Sequence, residues 1–245
     1  MIRRPPRSTL SSSSAASDVY KRQDVGRAIN AADVPRENLF ITTKLWNKDQ
    51  GYDTALEACE KSLTRLDCGY IDLYLIHWPL KDLRNDSWKA FIELQKRGLC
   101  RSIGVSNFTI DNLKELEEKY DVLPAINQVE FHPYHYQKEL LEYCNSKNII
   151  IEAYSPLVHA KRMDEPRLMA ISDELGKTPA QVLIRWAIQR GMVVLPKSVN
   201  QDRIVENFAV FDFDISNSLM KRLDDLDERY VTCWDPHNPP PYAPV

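Results

Sequence analysis

Short apolar segments rich in β-branched residues alternate along this chain with longer segments that have helical spacing. Six segments are predicted strands, at residues 39–45, 70–77, 101–106, 125–131, 149–154 and 192–196. Between them, helices are predicted over residues 53–67, 86–97, 111–120, 137–147 and 178–190. In the first, Leu56, Cys59 and Leu63 fall at i, i+3 and i+7, on one face of the helix. The last opens on a capping box of Thr178 and Gln181, and Gly191 is the left-handed residue expected after its end. Apolar strands that alternate with helices in this way indicate a parallel sheet covered by helices.

Two architectures are built from this repeated unit, the open doubly wound sheet and the (β/α)8 barrel. The doubly wound sheet often carries a GxGxxG turn, which is absent here, and the chain has only seven glycines. A length of 245 residues suits a barrel domain, but a barrel needs eight strands and six are predicted. We therefore expect an α/β fold, a parallel (β/α)8 TIM barrel whose first two strands are missing before Asp24.

Residues 1–23 differ from the rest of the chain in charge and pattern. They contain five basic residues against one acidic residue, Asp18, and a run of serines at 11–14. Three explanations are open: an organelle transit peptide, a flexible native tail, or a segment that resembles a translated cDNA adapter joined to a truncated reading frame. We favour the adapter because the pattern changes abruptly at Asp24. The predicted organisation is a non-native or disordered tail over 1–23 and an incomplete barrel domain over 24–245.

Composition excludes several classes of function. The 32 basic and 35 acidic residues give a net charge of −3, so no basic excess indicates nucleic acid or an acidic membrane surface as a partner. The apolar segments are too short to span a bilayer. The five cysteines form no CxxC pair and the histidines lack metal-ligand spacing, so we expect reduced thiols, no metal site and a cytoplasmic location.

Every predicted strand carries polar side chains toward its carboxyl end. These are Lys44, His77, Ser106 with Asn107, Gln128, Tyr154 with Ser155, and Lys197 with Ser198. In a parallel barrel, the carboxyl ends of the strands form the catalytic face. One such residue is uninformative, because a lone lysine at a strand end is usually a solvated rim charge. Polar ends on all the predicted strands favour a shared site for binding or proton transfer.

A phosphate site is predicted after the last strand. Lys197 and Ser198 lead into a helix that is expected to start near Asn200, and Arg203 falls in its first turn. A helix N-terminus offers free N–H groups and the positive end of a dipole, and the two cations add full charges beside it. Simple helix capping with an Arg203–Glu206 pair explains the same residues, so both interpretations stay open.

Seven short motifs carry a resemblance to a known family. In chain order they are ITTKLW at 41–46, DLYLIHWP at 72–79, GVSNF at 104–108, NQVEFHP at 127–133, AYSPL at 153–157, LPKS at 195–198 and RIVEN at 203–207. Together they resemble the aldo-keto reductase superfamily over residues 24–245. The short loops and the WDP at 234–236 resemble its microbial members, of the diketogluconate reductase and prostaglandin F synthase-like type.

The resemblance implies an NADPH-dependent enzyme that reduces aldehydes and ketones to alcohols by hydride transfer. It implies a small carbonyl substrate as the partner, and we expect a monomer. The implied cofactor-binding residues are Ser106, Asn107 and Gln128 at the nicotinamide carboxamide, Tyr154 on the nicotinamide ring, Ser155 and Leu157 along the pyrophosphate, Lys197, Ser198 and Arg203 at the 2′-phosphate, and Glu206 and Asn207 near the adenine.

The resemblance also implies the residues that act on the substrate. Lys44 and His77 are the implied catalytic residues, and Trp46 and Trp78 are the implied walls of the substrate pocket. In this family a tyrosine hydroxyl donates the proton, and an ammonium such as that of Lys44 lowers the tyrosine pKa from ~10. His77 would donate a hydrogen bond to the oxyanion that develops on the carbonyl.

The family's catalytic tetrad also needs an aspartate and a tyrosine, which precede the Val-Gly that matches Val25 and Gly26. Tyr20 lies one residue closer to Val25 than the family usually has it, and Asp18 precedes Tyr20 by two. We interpret both as coincidental, because the residues around them are adapter-like. We therefore predict an inactive or impaired reductase fragment. The alternatives are a non-catalytic NADPH-binding barrel and, ranked lower, a Schiff-base aldolase that uses Lys44.

Overall fold

The computed structural model describes residues 19–233. Residues 1–18 and 234–245, including Asp18 and the WDP motif, lie outside the described part. Within it the chain forms two compact units, the first ending at Ile126 and the second beginning at Asn127. Each unit has its own strands and covering helices.

The first unit alternates strands and helices. Its elements are α1 (Val19–Ala31), β1 (Thr42–Leu45), α2 (Tyr52–Leu66), β2 (Ile71–Ile76), α3 (Arg84–Lys96), β3 (Cys100–Ser106) and α4 (Ile110–Lys119). The strands are parallel and lie in the order β1-β2-β3, with Lys44 opposite Leu75 and Leu75 opposite Gly104. Because the strands are parallel, their carboxyl ends share one edge of the sheet.

Strand β2 is buried along its whole length. Burial on both faces is typical of a parallel strand covered by helices, and it explains the continuous apolar run in the sequence. Its charged residue, Asp72, pairs with Arg36 at 2.7 Å and accepts a hydrogen bond from the Ile41 backbone N–H at 2.9 Å. This buried carboxylate therefore fixes the chain that enters β1.

The second unit continues the alternation. Its elements are β4 (Ile126–Glu130), which begins at the boundary, α5 (Lys138–Ser146), β5 (Ile150–Tyr154), α6 (Pro166–Leu175), α7 (Pro179–Gln189), β6 (Val193–Val194), α8 (Gln201–Phe208) and α9 (Asn217–Asp224). The strand order is β4-β5-β6, and β5 pairs in parallel with β6. Helix α7 starts on a capping box in which Thr178 and Gln181 bond each other's backbone N–H. Gly191, with a φ of 77°, follows as the predicted left-handed residue.

Most of the predicted elements are confirmed at their predicted places. The six strands are present, although β6 covers only Val193–Val194. The helices predicted between the strands correspond to α2, α3, α4, α5 and α7, and α8 begins after Asn200 as predicted. Helix α1 begins at Val19 and runs past Asp24, and the division into a tail over 1–23 and a barrel domain over 24–245 stays a prediction. The adapter origin of the first residues stays a prediction.

The part of the chain that the structure describes has neither a membrane-spanning helix nor a metal-binding cluster. Between residues 19 and 233, no helix has the length and apolarity needed to cross a membrane. Nor does this part of the chain hold three or more His, Cys, Asp or Glu side chains placed to bind one metal ion. All five cysteines lie in the described part, and each is a free thiol.

Candidate active site

The first unit places Lys44, Trp46 and His77 at the carboxyl ends of β1 and β2. Lys44 lies within β1 and is only 6% exposed. His77 follows β2 directly, and its backbone N–H donates to the Leu45 carbonyl at 3.1 Å. The rings of Trp46 and His77 meet edge to face with centroids 4.8 Å apart, and the buried Trp78 ring lies 6.1 Å from His77. The predicted pocket tryptophans therefore both flank the predicted catalytic histidine.

Strand β3 brings Ser106 and Asn107 to the same edge. The Asn107 side-chain amide donates to the His77 carbonyl oxygen at 3.0 Å and to the Ser106 hydroxyl oxygen at 3.2 Å. Asn107 has a φ of 63°, a left-handed conformation that asparagine tolerates better than most residues. Its hydrogen bond to His77 ties the end of β3 to the end of β2, so the polar ends of these strands converge.

The surroundings of His77 keep its imidazole neutral. Burial lowers the pKa of His77 well below 6.5, and the positive charges of Lys44 and Arg22 lower it further. The Nδ1 atom of His77 is buried and has no hydrogen-bond partner among the described residues. A neutral imidazole still has one N–H to donate. It can therefore stabilise negative charge on a carbonyl oxygen.

Arg22 is a site residue that the sequence analysis missed, because it fell in the predicted tail. It lies in α1, is 9% exposed, and its guanidinium donates to the Lys44 carbonyl oxygen at 3.3 Å. Helix α1 lies against α2 closely enough that a Cβ on Gly26 would come within 2.7 Å of the Arg65 carbonyl oxygen. No local pattern marks Arg22, because its burial depends on this packing. Tyr20 lies in the same helix, but its side chain is outside what the structure describes.

In the second unit, Gln128 lies in β4 and Tyr154 ends β5. Gln128 is 1% exposed, and its amide nitrogen donates to the carboxylate of Glu152 in β5, which fixes the orientation of the amide. Burial raises the pKa of the Tyr154 hydroxyl, and the nearby Cys233 and Glu130 raise it further. Tyr154 is therefore a neutral, half-buried ring, which suits stacking against a flat ligand.

The loop after β5 has a strained backbone. Four of its residues, Ser155, Val158, His159 and Ala160, are left-handed, with φ between 50° and 60°. This conformation is unfavourable for a β-branched residue such as Val158. The Ser155 hydroxyl and His159 Nε2 are 3.1 Å apart and share a hydrogen bond. Backbone strain concentrates at functional sites, and here it includes Ser155, one of the two predicted pyrophosphate residues, whereas Leu157 has an ordinary φ of −98°.

The segment after β6 holds the predicted phosphate residues. Asn200 caps α8, since its side chain accepts from the Arg203 backbone N–H at 3.1 Å, and its own N–H donates to the Ser198 hydroxyl oxygen at 3.1 Å. The side chains of Lys197 and Arg203 are exposed beside this helix N-terminus. Asn200 therefore caps the helix, as the capping interpretation predicts, and the exposed side chains of Lys197 and Arg203 are positioned to meet an anion. Of the two residues predicted near the adenine, Glu206 is half-buried and Asn207 is buried, both in α8.

Glu130 is a second residue without a role in the sequence analysis. It ends β4, is 5% exposed, and accepts hydrogen bonds from His132 Nε2 at 3.0 Å and from the Thr232 backbone N–H at 2.8 Å. Burial acts to raise its pKa, but the hydrogen bonds from His132 and Thr232 outweigh it and lower the pKa of Glu130 to about 2. A glutamate within an otherwise uncharged strand was the only signal in the sequence.

Comparison with known proteins identifies the family. The family model described as "Aldo/keto reductase family" matches residues 16–228. A glyoxal reductase of Bacillus subtilis (strain 168) is 49% identical over 214 residues, which cover 86% of this chain and 78% of the relative. The chain therefore belongs to the aldo-keto reductase family, as its motifs predicted.

Solved structures agree with this assignment. MGS-M4, an aldo-keto reductase from a Medee basin deep-sea metagenome library, has a TM-score of 0.86 at 41% identity, covering 89% of this chain and 82% of that one. A mutant of Gox0644 in complex with NADPH has a TM-score of 0.83 at 38% identity, covering 89% and 81%. The predicted barrel class is confirmed by these neighbours, and the ligand of the second is the predicted cofactor.

Proposed function

We propose that this chain binds NADPH and polarises the carbonyl group of a small aldehyde or ketone for reduction to an alcohol. The observation that carries this proposal is a neutral His77 beside the buried Lys44, flanked by Trp46. An uncharged donor fixed among cations and held away from water suits the stabilisation of a developing oxyanion. The name of the glyoxal reductase relative supports a small carbonyl compound as the substrate.

The residues of the second unit fit NADPH. The exposed cations Lys197 and Arg203 beside the N-terminus of α8 suit a phosphate monoester, and the neutral ring of Tyr154 suits the nicotinamide. We assign the remaining cofactor contacts to Ser106, Asn107 and Gln128 for the carboxamide, Ser155 and Leu157 for the pyrophosphate, Ser198 for the 2′-phosphate, and Glu206 and Asn207 for the adenine. NADPH supplies a hydride when it is bound.

The side chains of the first unit then have separate tasks. His77 donates its N–H to the carbonyl oxygen, and Trp46 and Trp78 exclude water around it. The ammonium of Lys44 favours the anionic form of a neighbouring hydroxyl and so lowers the pKa of a proton donor. The family resemblance implies a tyrosine in that role, and Tyr20 is the candidate although its spacing is one residue short. We therefore propose that turnover of this chain is impaired.

The test uses the purified full chain. NADPH is titrated against tryptophan fluorescence, and turnover is followed as loss of NADPH absorbance with glyoxal as the substrate. We expect saturable NADPH binding with slow turnover. The His77→Gln substitution should lower the turnover rate by a further ~10-fold or more and leave the affinity for NADPH unchanged. A chain that does not bind NADPH would overturn the proposal.

A non-catalytic NADPH-binding barrel is the second candidate. It is supported by the displaced spacing of Tyr20, and it predicts NADPH binding with no turnover in either the wild type or the His77→Gln variant. We further propose a cytoplasmic location, which the five free thiols support, and a monomeric protein. Sedimentation of the purified chain tests the monomer.

A further inference from the structure

Glu130 connects two parts of the second unit that are far apart in sequence. Its Oε1 accepts from the Thr232 backbone N–H at 2.8 Å and from the Thr232 hydroxyl at 2.5 Å. Its Oε2 accepts from the Cys233 backbone N–H at 3.0 Å. One buried carboxylate therefore holds two successive residues of the C-terminal segment against the end of β4.

The charge on Glu130 makes this attachment strong. Because its pKa is lowered to about 2, the side chain is an anion near neutral pH, and hydrogen bonds to an ionised acceptor are stronger than neutral ones. An ionised carboxylate only accepts, so His132 Nε2, 3.0 Å away, carries a hydrogen and donates it. All four hydrogen bonds therefore have the Glu130 carboxylate as acceptor and His132, Thr232 or Cys233 as donor.

The attached segment lies beside two residues of the proposed cofactor site. Cys233 Sγ is 3.9 Å from the Ser155 hydroxyl oxygen. The thiol of Cys233 and the hydroxyl of Tyr154 also hydrogen-bond each other, and this contact is one reason why the pKa of Tyr154 is raised. The C-terminal segment therefore touches both the end of β5 and the strained loop that follows it.

We propose that Glu130 is a positioning residue, whose carboxylate anchors Thr232 and Cys233 against Tyr154 and Ser155 and thereby sets the affinity for NADPH. Glu130 acts through Cys233 and the ring of Tyr154, and not on the reacting atoms. The cofactor part of this inference rests on the proposed function. The anchoring part does not, because it concerns contacts within the protein.

The first experiment measures anchoring without any cofactor. Cys233 is the half-buried cysteine, whereas Cys59, Cys68, Cys100 and Cys144 are buried, so its alkylation by N-ethylmaleimide can be followed by peptide mass spectrometry. Glu130→Gln keeps the shape of the side chain and removes its negative charge. Because this weakens the attachment of Cys233, we expect Cys233 to be alkylated at least fivefold faster. Glu118→Gln, on the exposed face of α4, is the matched control and should react as the wild type does.

A second pair of variants keeps the test decisive if Glu130→Gln fails to fold. Thr232→Val removes one hydroxyl donor and retains both backbone N–H groups, so it should accelerate alkylation by a smaller factor. Thr232→Ser retains the hydroxyl and should restore the wild-type rate. Equal alkylation rates in Thr232→Val and Thr232→Ser, or in Glu130→Gln and the wild type, would overturn the anchoring.

The second experiment measures positioning. We expect the Kd for NADPH to rise at least fivefold in Glu130→Gln and to stay unchanged in Glu118→Gln. A lower melting temperature with an unchanged Kd would show a purely structural role and overturn the inference. If the wild type itself does not bind NADPH, the proposed function fails, and the alkylation rates still decide whether Glu130 anchors the segment.

Discussion

At the scale of single residues, the cations around His77 decide its protonation state. Lys44 is buried in β1, and Arg22 reaches the Lys44 carbonyl from α1. Both charges oppose a proton on His77, and burial opposes it most. The lowered pKa has a consequence for stability. Between the folded-state pKa and 6.5 the unfolded chain binds more protons at this residue, so stability rises with pH through that window.

Removing the Arg22 charge should raise the pKa of His77. In Arg22→Ala we expect the imidazole titration, followed by NMR, to move toward 6.5, because one of the two opposing charges is lost. Arg27→Ala is the matched control, since Arg27 is on the same helix with a side chain 73% exposed. An unchanged titration in Arg22→Ala would contradict the placement of this guanidinium near His77.

Glu130 should make stability depend on pH on the acid side. Its folded pKa of about 2 lies below the ordinary value of 4.5, so its contribution is complete above pH 4.5 and is lost as the pH falls toward 2. The difference corresponds to on the order of 3 kcal/mol. We expect urea unfolding between pH 2.5 and 6 to show a flatter dependence on pH in Glu130→Gln than in Glu118→Gln. Parallel curves would contradict the lowered pKa.

At the scale of elements, the sheet of the first unit depends on close strand approach. Gly104 in β3 has no side chain, and a Cβ there would lie 2.7 Å from the Ile126 carbonyl oxygen and 2.8 Å from Leu75 Cδ2. The first of these atoms is backbone, which cannot turn aside. The glycine therefore permits the close approach of the Ile126 backbone, at the start of β4, and of the Leu75 side chain of β2 to strand β3.

Gly104→Ala should destabilise the protein through this clash. We expect a loss of about 2–3 kcal/mol in the free energy of unfolding, measured with urea at neutral pH. Gly69→Ala is the comparison, because nothing lies within 4 Å of its Cβ and only its φ of 76° is unfavourable, at about 1–2 kcal/mol. A smaller loss in Gly104→Ala than in Gly69→Ala would argue against the close approach.

At the scale of the whole molecule, the family match runs through both units, from residue 16 to 228. It begins before Asp24, and α1 begins there too, at Val19. The second unit supplies the exposed cations Lys197 and Arg203 at the start of α8, and we propose that they determine the preference for NADPH over NADH. Because they lie at the surface, their attraction for a phosphate weakens as salt is added.

Loss of these cations should abolish the preference for NADPH. In Lys197→Ala/Arg203→Ala we expect the Kd for NADPH to rise by ~10- to 100-fold, while the Kd for NADH changes little. Lys138→Ala, which removes a lysine with a side chain 65% exposed on α5, is the control. The titrations are repeated at two salt concentrations. Equal losses of affinity for NADPH and for NADH would show that the two cations do not bind the 2′-phosphate.

Much of the architecture and the placement of several site residues were predictable from the sequence. Apolar periodicity located the strands, and Thr178, Gln181 and Gly191 marked the ends of α7, because these signals act within a few residues. The polar residues after β1, β2 and β3 converge, because parallel strands end at one edge. The helix that begins at Val19 was not predictable, because charge and serine content do not decide whether a segment forms a helix.

The sequence by itself therefore determined the positions of the strands along the chain, the main helices and the family, since periodicity, caps and motifs are local properties. Only the tertiary structure decided the burial of Arg22, the neutral state of His77 and the anchoring of Thr232 by Glu130. The last of these joins residues 102 positions apart. Burial, pKa and long-range hydrogen bonds depend on which distant groups share a low-dielectric space, and no spacing along the chain encodes that.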